Sequence, residues 1–160
     1  MMKEELTLVI IKPDGVQRRL IGTLIARFER KGLRVAALKM MRMTQATARE
    51  LYSVHQGKPF YEPLVRFATS APLVAMVIGG RDVIRVVRTM LGNTLSGQAA
   101  PGTIRGDFGV SNRFNLVHGS DSAESAAREI ALVFQKDEIF QYAPCDLEWV
   151  YDFTEGAEPV

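Results

Sequence analysis

At 160 residues, 47% apolar and 24% charged, the chain holds enough hydrophobic material for one packed domain, which excludes a disordered tail or a small stapled scaffold. Twenty basic against eighteen acidic side chains leave a formal charge of +2, which does not by itself amount to a nucleic-acid-binding surface, so any anion site must come from local clustering. A single cysteine, Cys145, excludes an internal disulfide and a cysteine-rich metal site, and the longest apolar run, Leu73–Ile78, is far short of the roughly 20 residues that span a bilayer. With Lys3, Glu4 and Glu5 interrupting any signal segment, the expectation is a soluble, unexported, cytoplasmic protein with no membrane partner.

Leu6–Ile11 reads as a buried strand that runs into a turn at Pro13-Asp14-Gly15. Ile21, Leu24, Ile25 and Phe28 then recur at i, i+3, i+4 and i+7, which predicts an amphipathic helix, and Gly32 sits where its C-terminal cap needs positive φ. Leu33–Met41 alternates loosely as a second strand. Thr44 caps a helix with Ala48, Leu51, Tyr52 and His55 on one face, and beyond Lys58-Pro59 a shorter helix gathers Tyr61, Leu64, Val65 and Ala68, giving a helical pair. Pro72 opens the third strand, Leu73–Ile78, and Gly79-Gly80 closes it before a helix that turns Val83, Val86, Val87 and Met90 inward.

Residues 92–115 contain five glycines and one proline with little periodicity, and irregular stretches of that length in compact domains are usually functional or disordered. Phe114–His118 reads as the fourth strand. Asp121-Ser122-Ala123-Glu124 resembles a capping box opening a helix with Ala123, Ala126, Ala127, Ile130 and Phe134 inward. From Gln135 onward periodicity is lost in an aromatic-rich tail that includes Trp149, Tyr151 and Phe153. No linker, repeat or low-complexity block divides the chain, so one α/β domain over 1–160 is expected. Its alternating strands and helices suggest by default a parallel sheet, with a mixed one left open.

The chain lacks a GxxxxGK[ST] loop, a GxGxxG after a strand, HExxH and GxSxG, and its two histidines, His55 and His118, lie far apart in sequence. Phosphate chemistry would therefore need side-chain cations. Arg81, Arg85 and Arg88 form a stripe opposite the valines of their helix, which is either a solvated face or an anion contact. Lys12 ends a buried strand, and Arg105 sits in Pro101-Gly102-Thr103-Ile104-Arg105-Gly106-Asp107, where glycines allow close backbone approach to a ligand. His118 ends an apolar strand just before a helix N-terminus, where a sheet presents side chains to a crevice. It lies about 10 Å back along the strand from Asp121, and Glu129 lies about 12 Å forward along the helix, so a helix folded back on the strand brings them level.

Asn115-Leu116-Val117-His118-Gly119-Ser120-Asp121-Ser122 is very similar to the active-site signature of nucleoside diphosphate kinases. Lys12-Pro13-Asp14-Gly15-Val16, Phe28-Glu29-Arg30-Lys31-Gly32, Lys58-Pro59-Phe60, Met90-Leu91-Gly92 and Pro101-Gly102-Thr103-Ile104-Arg105-Gly106-Asp107-Phe108 resemble that family's pattern in order, across about residues 6–151. The resemblance implies a ferredoxin-like βαββαβ sandwich: a four-stranded antiparallel sheet with helices on its faces and the helical pair inserted between the second and third strands. It implies transfer of the γ-phosphoryl of a nucleoside triphosphate, as its Mg²⁺ complex, to His118 and then to a nucleoside diphosphate. Lys12, Tyr52, Arg88, Thr94, Arg105 and Asn115 would hold phosphates and sugar, Phe60 and Leu64 would pack on the base, and Ser120 and Glu129 would support the histidine. A homo-oligomer, hexamer or tetramer, is implied as well.

The chain departs from that pattern in three places. Gly109-Val110-Ser111-Asn112-Arg113-Phe114 replaces the usual apolar-Gly-Arg ending, with Asn112 where an aliphatic residue usually touches the base. Val54 stands where many relatives carry an acidic residue, which leaves metal contacts to the phosphates and Asp121. Residues 152–160 extend beyond the common ending. The competing class is a ferredoxin-like module that binds nucleotides or single-stranded nucleic acid without catalysis, whose signature is loss of the histidine or its carboxylate; both are present, so nucleic acid is not the expected main partner.

Overall fold

The structure, a computed structural model, describes residues 4–153. β1 (Glu5–Ile11), β2 (Arg34–Met41), β3 (Leu73–Gly80) and β4 (Val117–Gly119) form one sheet in the order β2-β3-β1-β4, and every pairing is antiparallel. The parallel default is thus corrected. The helix-linked strands, β1 with β2 and β3 with β4, do run parallel, but a strand of opposite direction lies between the members of each pair, so every neighbour is antiparallel, in agreement with the ferredoxin-like fold. β1 and β3 are central and covered on both faces, which is why they read as continuous apolar runs.

Alternation persists within those runs. Leu8 and Ile10 face one layer, built on α3 (Gln45–Leu51), α4 (Tyr61–Ala68) and α7 (Ala123–Val133); Val9 and Ile11 face the other, built on α2 (Ile21–Arg30) and α5 (Val83–Leu91). α3 is capped by Thr44, whose hydroxyl accepts from Thr47 N, and α2 is followed by Gly32 at φ +84°, the left-handed geometry a helix end requires.

Several boundaries differ from the sequence reading. Pro13-Asp14-Gly15 is not a simple turn but the start of a short helix, α1 (Pro13–Gln17). Gly79 and Gly80 lie inside β3, paired with Leu6 and Glu5. α3 ends at Leu51, and His55 belongs to a separate 3₁₀ turn at Ser53–His55. In α5 the innermost residues are Val83, Val87 and Leu91, with Val86 and Met90 only partly buried. Ser122, not Asp121, caps α7 by accepting from Ser125 N, and its buried stripe is Ala126, Glu129, Ile130 and Val133, leaving Ala123 and Ala127 exposed. A charged residue takes a core position there because partners answer it.

The fourth strand is shorter than Phe114–His118, because Leu116, wholly buried, adopts φ +72° and breaks the extended run. A left-handed leucine costs about 1–2 kcal/mol, and its surroundings must hold it. The long glycine-rich stretch also acquires structure: Thr103 caps α6 (Ile104–Phe108) by accepting from Gly106 N. A Cβ on Gly106 would collide with the backbone carbonyl of Ala100. Past α7, Phe140 N donates to Ala36 O and Tyr142 Oη to Val35 O, so the tail runs back over β2 before α8 (Leu147–Val150). Of the 152–160 extension, only Asp152 and Phe153 lie within the described residues.

Gly106→Ala is expected to cost about 1–3 kcal/mol, the usual penalty for overpacking a close-fitted site. Urea unfolding checks this as a lower midpoint at unchanged m-value.

Candidate active site

His118 pairs with Ile10 across the β1–β4 ladder. Directly opposed residues share a face, so its ring projects to the side covered by α3, α4 and α7. It borders a cavity of about 660 Å³ that is also lined by Lys12, Tyr52, Phe60, Leu64, Arg88, Thr94, Arg105, Asn115, Asp121 and Glu129. Of the residues expected at the site, Ser120 alone lies behind this lining. It is buried, with Oγ donating to Glu129 Oε2 at 2.7 Å and accepting from Leu8 N at 3.3 Å.

Glu129 is the hinge between wall and interior. His118 Nε2 lies 2.9 Å from the same Oε2 that Ser120 contacts, and Arg128 Nη2 is 3.6 Å from Oε1. Burial pushes the Glu129 carboxyl up, but hydrogen bonds from His118 and Ser120 and the charge of Arg128 leave it below the usual glutamate range. An ionised carboxylate only accepts, so Nε2 carries a proton, and the neutral form of the ring has its lone pair on Nδ1. The Tyr52 ring meets the imidazole edge-on, with centroids 5.9 Å apart. Its phenol is driven upward by burial and by Glu129, and so stays protonated.

The cations are held from inside. Lys12 Nζ donates to Asn115 Oδ1 at 2.7 Å, and Asn115 Nδ2 donates to Thr94 O at 3.0 Å. Arg105, almost fully buried, donates to three backbone carbonyls: Asn115 at 3.2 Å, Gly92 at 2.9 Å and Val117 at 2.7 Å. Its guanidinium therefore ties the irregular 92–117 segment together as well as charging the cavity. Burial, helped by Arg88, lowers Arg105 to about 10, and burial, helped by Arg105 and opposed by Asp14, lowers Lys12 to about 8. Arg88 Nη1 reaches Gly119 O at 3.4 Å. The rest of its stripe turns elsewhere, since Arg85 pairs with Asp82 and Arg81 lies over the Tyr151 ring.

Sequence reasoning overlooked Phe67, His55, Arg113 and Arg128 in the lining. Phe60, Leu64 and Phe67 follow i, i+4, i+7 spacing, so a signal for Phe67 was present; His55 packs its ring on Phe60 at 5.3 Å, which no pattern announced. Asn112 and Val54 both line the cavity.

A cavity lined by five lysine and arginine side chains and by an imidazole held through Nε2 suits a nucleophile that accepts a phosphoryl group. The comparisons with known proteins decide its class. The family model described as nucleoside diphosphate kinase matches residues 5–139. The chain belongs to the nucleoside diphosphate kinase family. A nucleoside diphosphate kinase of Staphylothermus marinus is 56% identical over 141 residues, covering 88% of this chain and 100% of the relative. One of Archaeoglobus fulgidus is 51% identical over 148 residues, covering 92% and 98%. Among solved structures, a halophilic nucleoside diphosphate kinase from Halobacterium salinarum in complex with CDP superposes with a TM-score of 0.91 at 47% identity, over 94% of this chain and 100% of that one. The kinase is accordingly a phosphotransferase that moves phosphoryl groups between nucleoside triphosphates and diphosphates, and a binding module without catalysis is not favoured.

Because Lys12 keeps its charge below its lowered pKa and loses it above, its ammonium in the free kinase is expected to titrate with a midpoint near 8. Nitrogen NMR of lysine Nζ, assigned with Lys12→Arg, checks this; a midpoint near 10.5, the ordinary lysine value, would contradict the burial argument.

Proposed function

We propose that His118 Nδ1 is the nucleophile of a two-step exchange. It takes the γ-phosphoryl group from a nucleoside triphosphate, releases the diphosphate, and hands the group to a second diphosphate in the same cavity. The observation that carries this reading is the 2.9 Å contact of His118 Nε2 with a buried, ionised Glu129. That contact selects the tautomer and stabilises the positive charge the ring develops as the P–N bond forms. A neutral imidazole needs no base to remove a proton, and a covalent intermediate lets one site serve donor and acceptor in turn.

Phosphoryl transfer has a loose transition state with charge spread over equatorial oxygens, so cations in fixed positions supply most of the catalysis. Lys12, Arg88 and Arg105 fill that role, with Tyr52, Thr94 and Asn115 contacting phosphates and sugar. Phe60 and Leu64 pack on the base. Flat apolar contact is offered by every base, which accords with weak discrimination among them.

Mg²⁺ would arrive with the nucleotide phosphates and would supply neutralisation of their charge, with Asp121 the cavity residue that would help hold it. Among the described residues no group of three or more His, Cys, Asp or Glu side chains is placed to hold a metal ion. Asp121, in the cavity lining, has its carboxyl held low by a hydrogen bond with Ser125 and would contact such a complex, whereas Glu129, the other carboxylate in that lining, is taken up by His118 and Ser120. Val54 contributes none.

The kinase acts in the cytoplasm as a homo-oligomer, hexamer or tetramer, in this reading. Exposed Val110, Phe140 and Trp149, with Leu38 and Met40 on the edge strand β2, supply apolar surface that a small monomer seldom leaves to water. No helix of the described residues is long and apolar enough to cross a membrane.

Incubation with labelled ATP alone tests the central step. Label is expected to remain on the protein, to be lost in acid, and to vanish in His118→Ala. Glu129→Gln is expected to slow phosphorylation by about ten- to a thousandfold while nucleotide affinity changes only a few-fold. Acid-stable label, or an unchanged single-turnover rate in Glu129→Gln, would overturn these roles.

A further inference from the structure

Asp14 lies outside the cavity lining, yet it is buried, and burial raises its carboxyl above the ordinary aspartate value. Its Oδ2 accepts from Leu116 N at 3.0 Å, while its buried Oδ1 has no hydrogen-bond partner. Beyond Leu116 it draws only on the Lys12 charge and on the N–H groups of Asp14 and Gly15 at the start of α1, so its one long-range hydrogen bond is the one to Leu116.

Leu116 is the strained residue described above. Val117 N donates to Asn115 O at 2.8 Å across it, which makes a three-residue γ-turn of the rare positive-φ type. Lys12 N donates to Leu116 O at 2.8 Å. Leu116 N points the other way, into the interior, and Asp14 is its acceptor. On either side of this turn stand Asn115, whose amide oxygen receives Lys12 Nζ, and Val117, which leads directly to His118.

We propose that Asp14 is a positioning residue for phosphoryl transfer: by accepting from Leu116 N it holds the γ-turn that sets Asn115 on Lys12 and aims His118 at the cavity. Without that acceptor the Leu116 N–H is buried and unpaired, and the leucine relaxes toward extended backbone. Extension separates Asn115 from Lys12 and shifts His118 relative to the cations. The assignment rests on the reading that Lys12 and Asn115 hold the phosphates beside His118.

The test is single-turnover phosphorylation by ATP of full-length wild type, Asp14→Ala, Asp14→Asn, Asn115→Ala and the Asp14→Ala/Asn115→Ala double variant, at a temperature where circular dichroism shows each folded. Asp14→Ala is expected to slow phosphorylation by about tenfold to a hundredfold, the usual range for a residue that orients another at a site. Asp14→Asn, which keeps an acceptor oxygen, recovers the rate to within about threefold. In the Asn115→Ala background the same Asp14→Ala change slows the rate by a factor at least about threefold smaller, because one of the two groups it positions is gone. A purely structural aspartate gives equal factors in both backgrounds, or no rate loss at all in the folded protein, and either result overturns the proposal. Asn115→Ala without effect instead overturns the reading of the cavity on which it rests. Asp14→Glu, which keeps the charge but displaces the oxygen by a methylene, replaces Asp14→Ala if that variant does not fold, with the same expected and overturning results.

Discussion

A carboxylate in a protein interior has to be answered by donors, and the reactive end of this fold is organised around the answer given to Glu129. His118 and Ser120 both meet its Oε2, one from β4 and one from the residue that follows it, so a single oxygen of α7 fixes the helix against the strand and the imidazole against both. The hydroxyl that serves Glu129 also accepts from Leu8 in β1. Three elements thus meet at one hydrogen-bonded group, and moving any of them disturbs the tautomer of the histidine.

The cations show the same economy. Burial lowers both Arg105 and Lys12, helped at Arg105 by the charge of Arg88 and at Lys12 by that of Arg105, a cost that a surface cluster avoids. Their donors hold the chain where it has no regular structure, at the carbonyls of Gly92, Asn115 and Val117 and the side chain of Asn115. Charge placed in this way needs little rearrangement when phosphate arrives, which is the physical content of electrostatic preorganisation.

Much of this was legible in the sequence, and the failures have identifiable causes. The apolar runs of β1 and β3, the i, i+3, i+4 stripes of α2 and α4, and the caps at Thr44 and Gly32 are local signals and appear where periodicity places them. Strand direction is a property of pairing, so alternation of elements could not reveal the antiparallel sheet; the family motifs did. Phe114–His118 looked like a strand because Leu116 is apolar, and nothing in a leucine announces positive φ. Ala127 reads as inward but is exposed, while Glu129, which the helix spacing brings level with His118, is a full member of the buried stripe, because patterning counts methyl groups and cannot see that a carboxylate has partners waiting. Lys12 and Arg105 read as solvated or ligand-facing, whereas each also serves the fold, a dual use visible only in three dimensions.

The order β2-β3-β1-β4 has a consequence for synthesis. The first strand to leave the ribosome is a central one, and neither of its neighbours is next in line. β1 has both edges open until β3 and then β4 emerge, while the intervening segment, including β2, is already made. A nascent Leu-Val-Ile-Ile strand with unpaired amides is an aggregation hazard for that whole interval. Arg34 extends the dependence at both ends, for its guanidinium binds Glu4 just ahead of β1 and the carbonyl of Phe140 beyond α7. The sheet therefore closes in two steps, and a chain stalled before residue 117 leaves one edge of the strand on which the finished protein is centred unpaired.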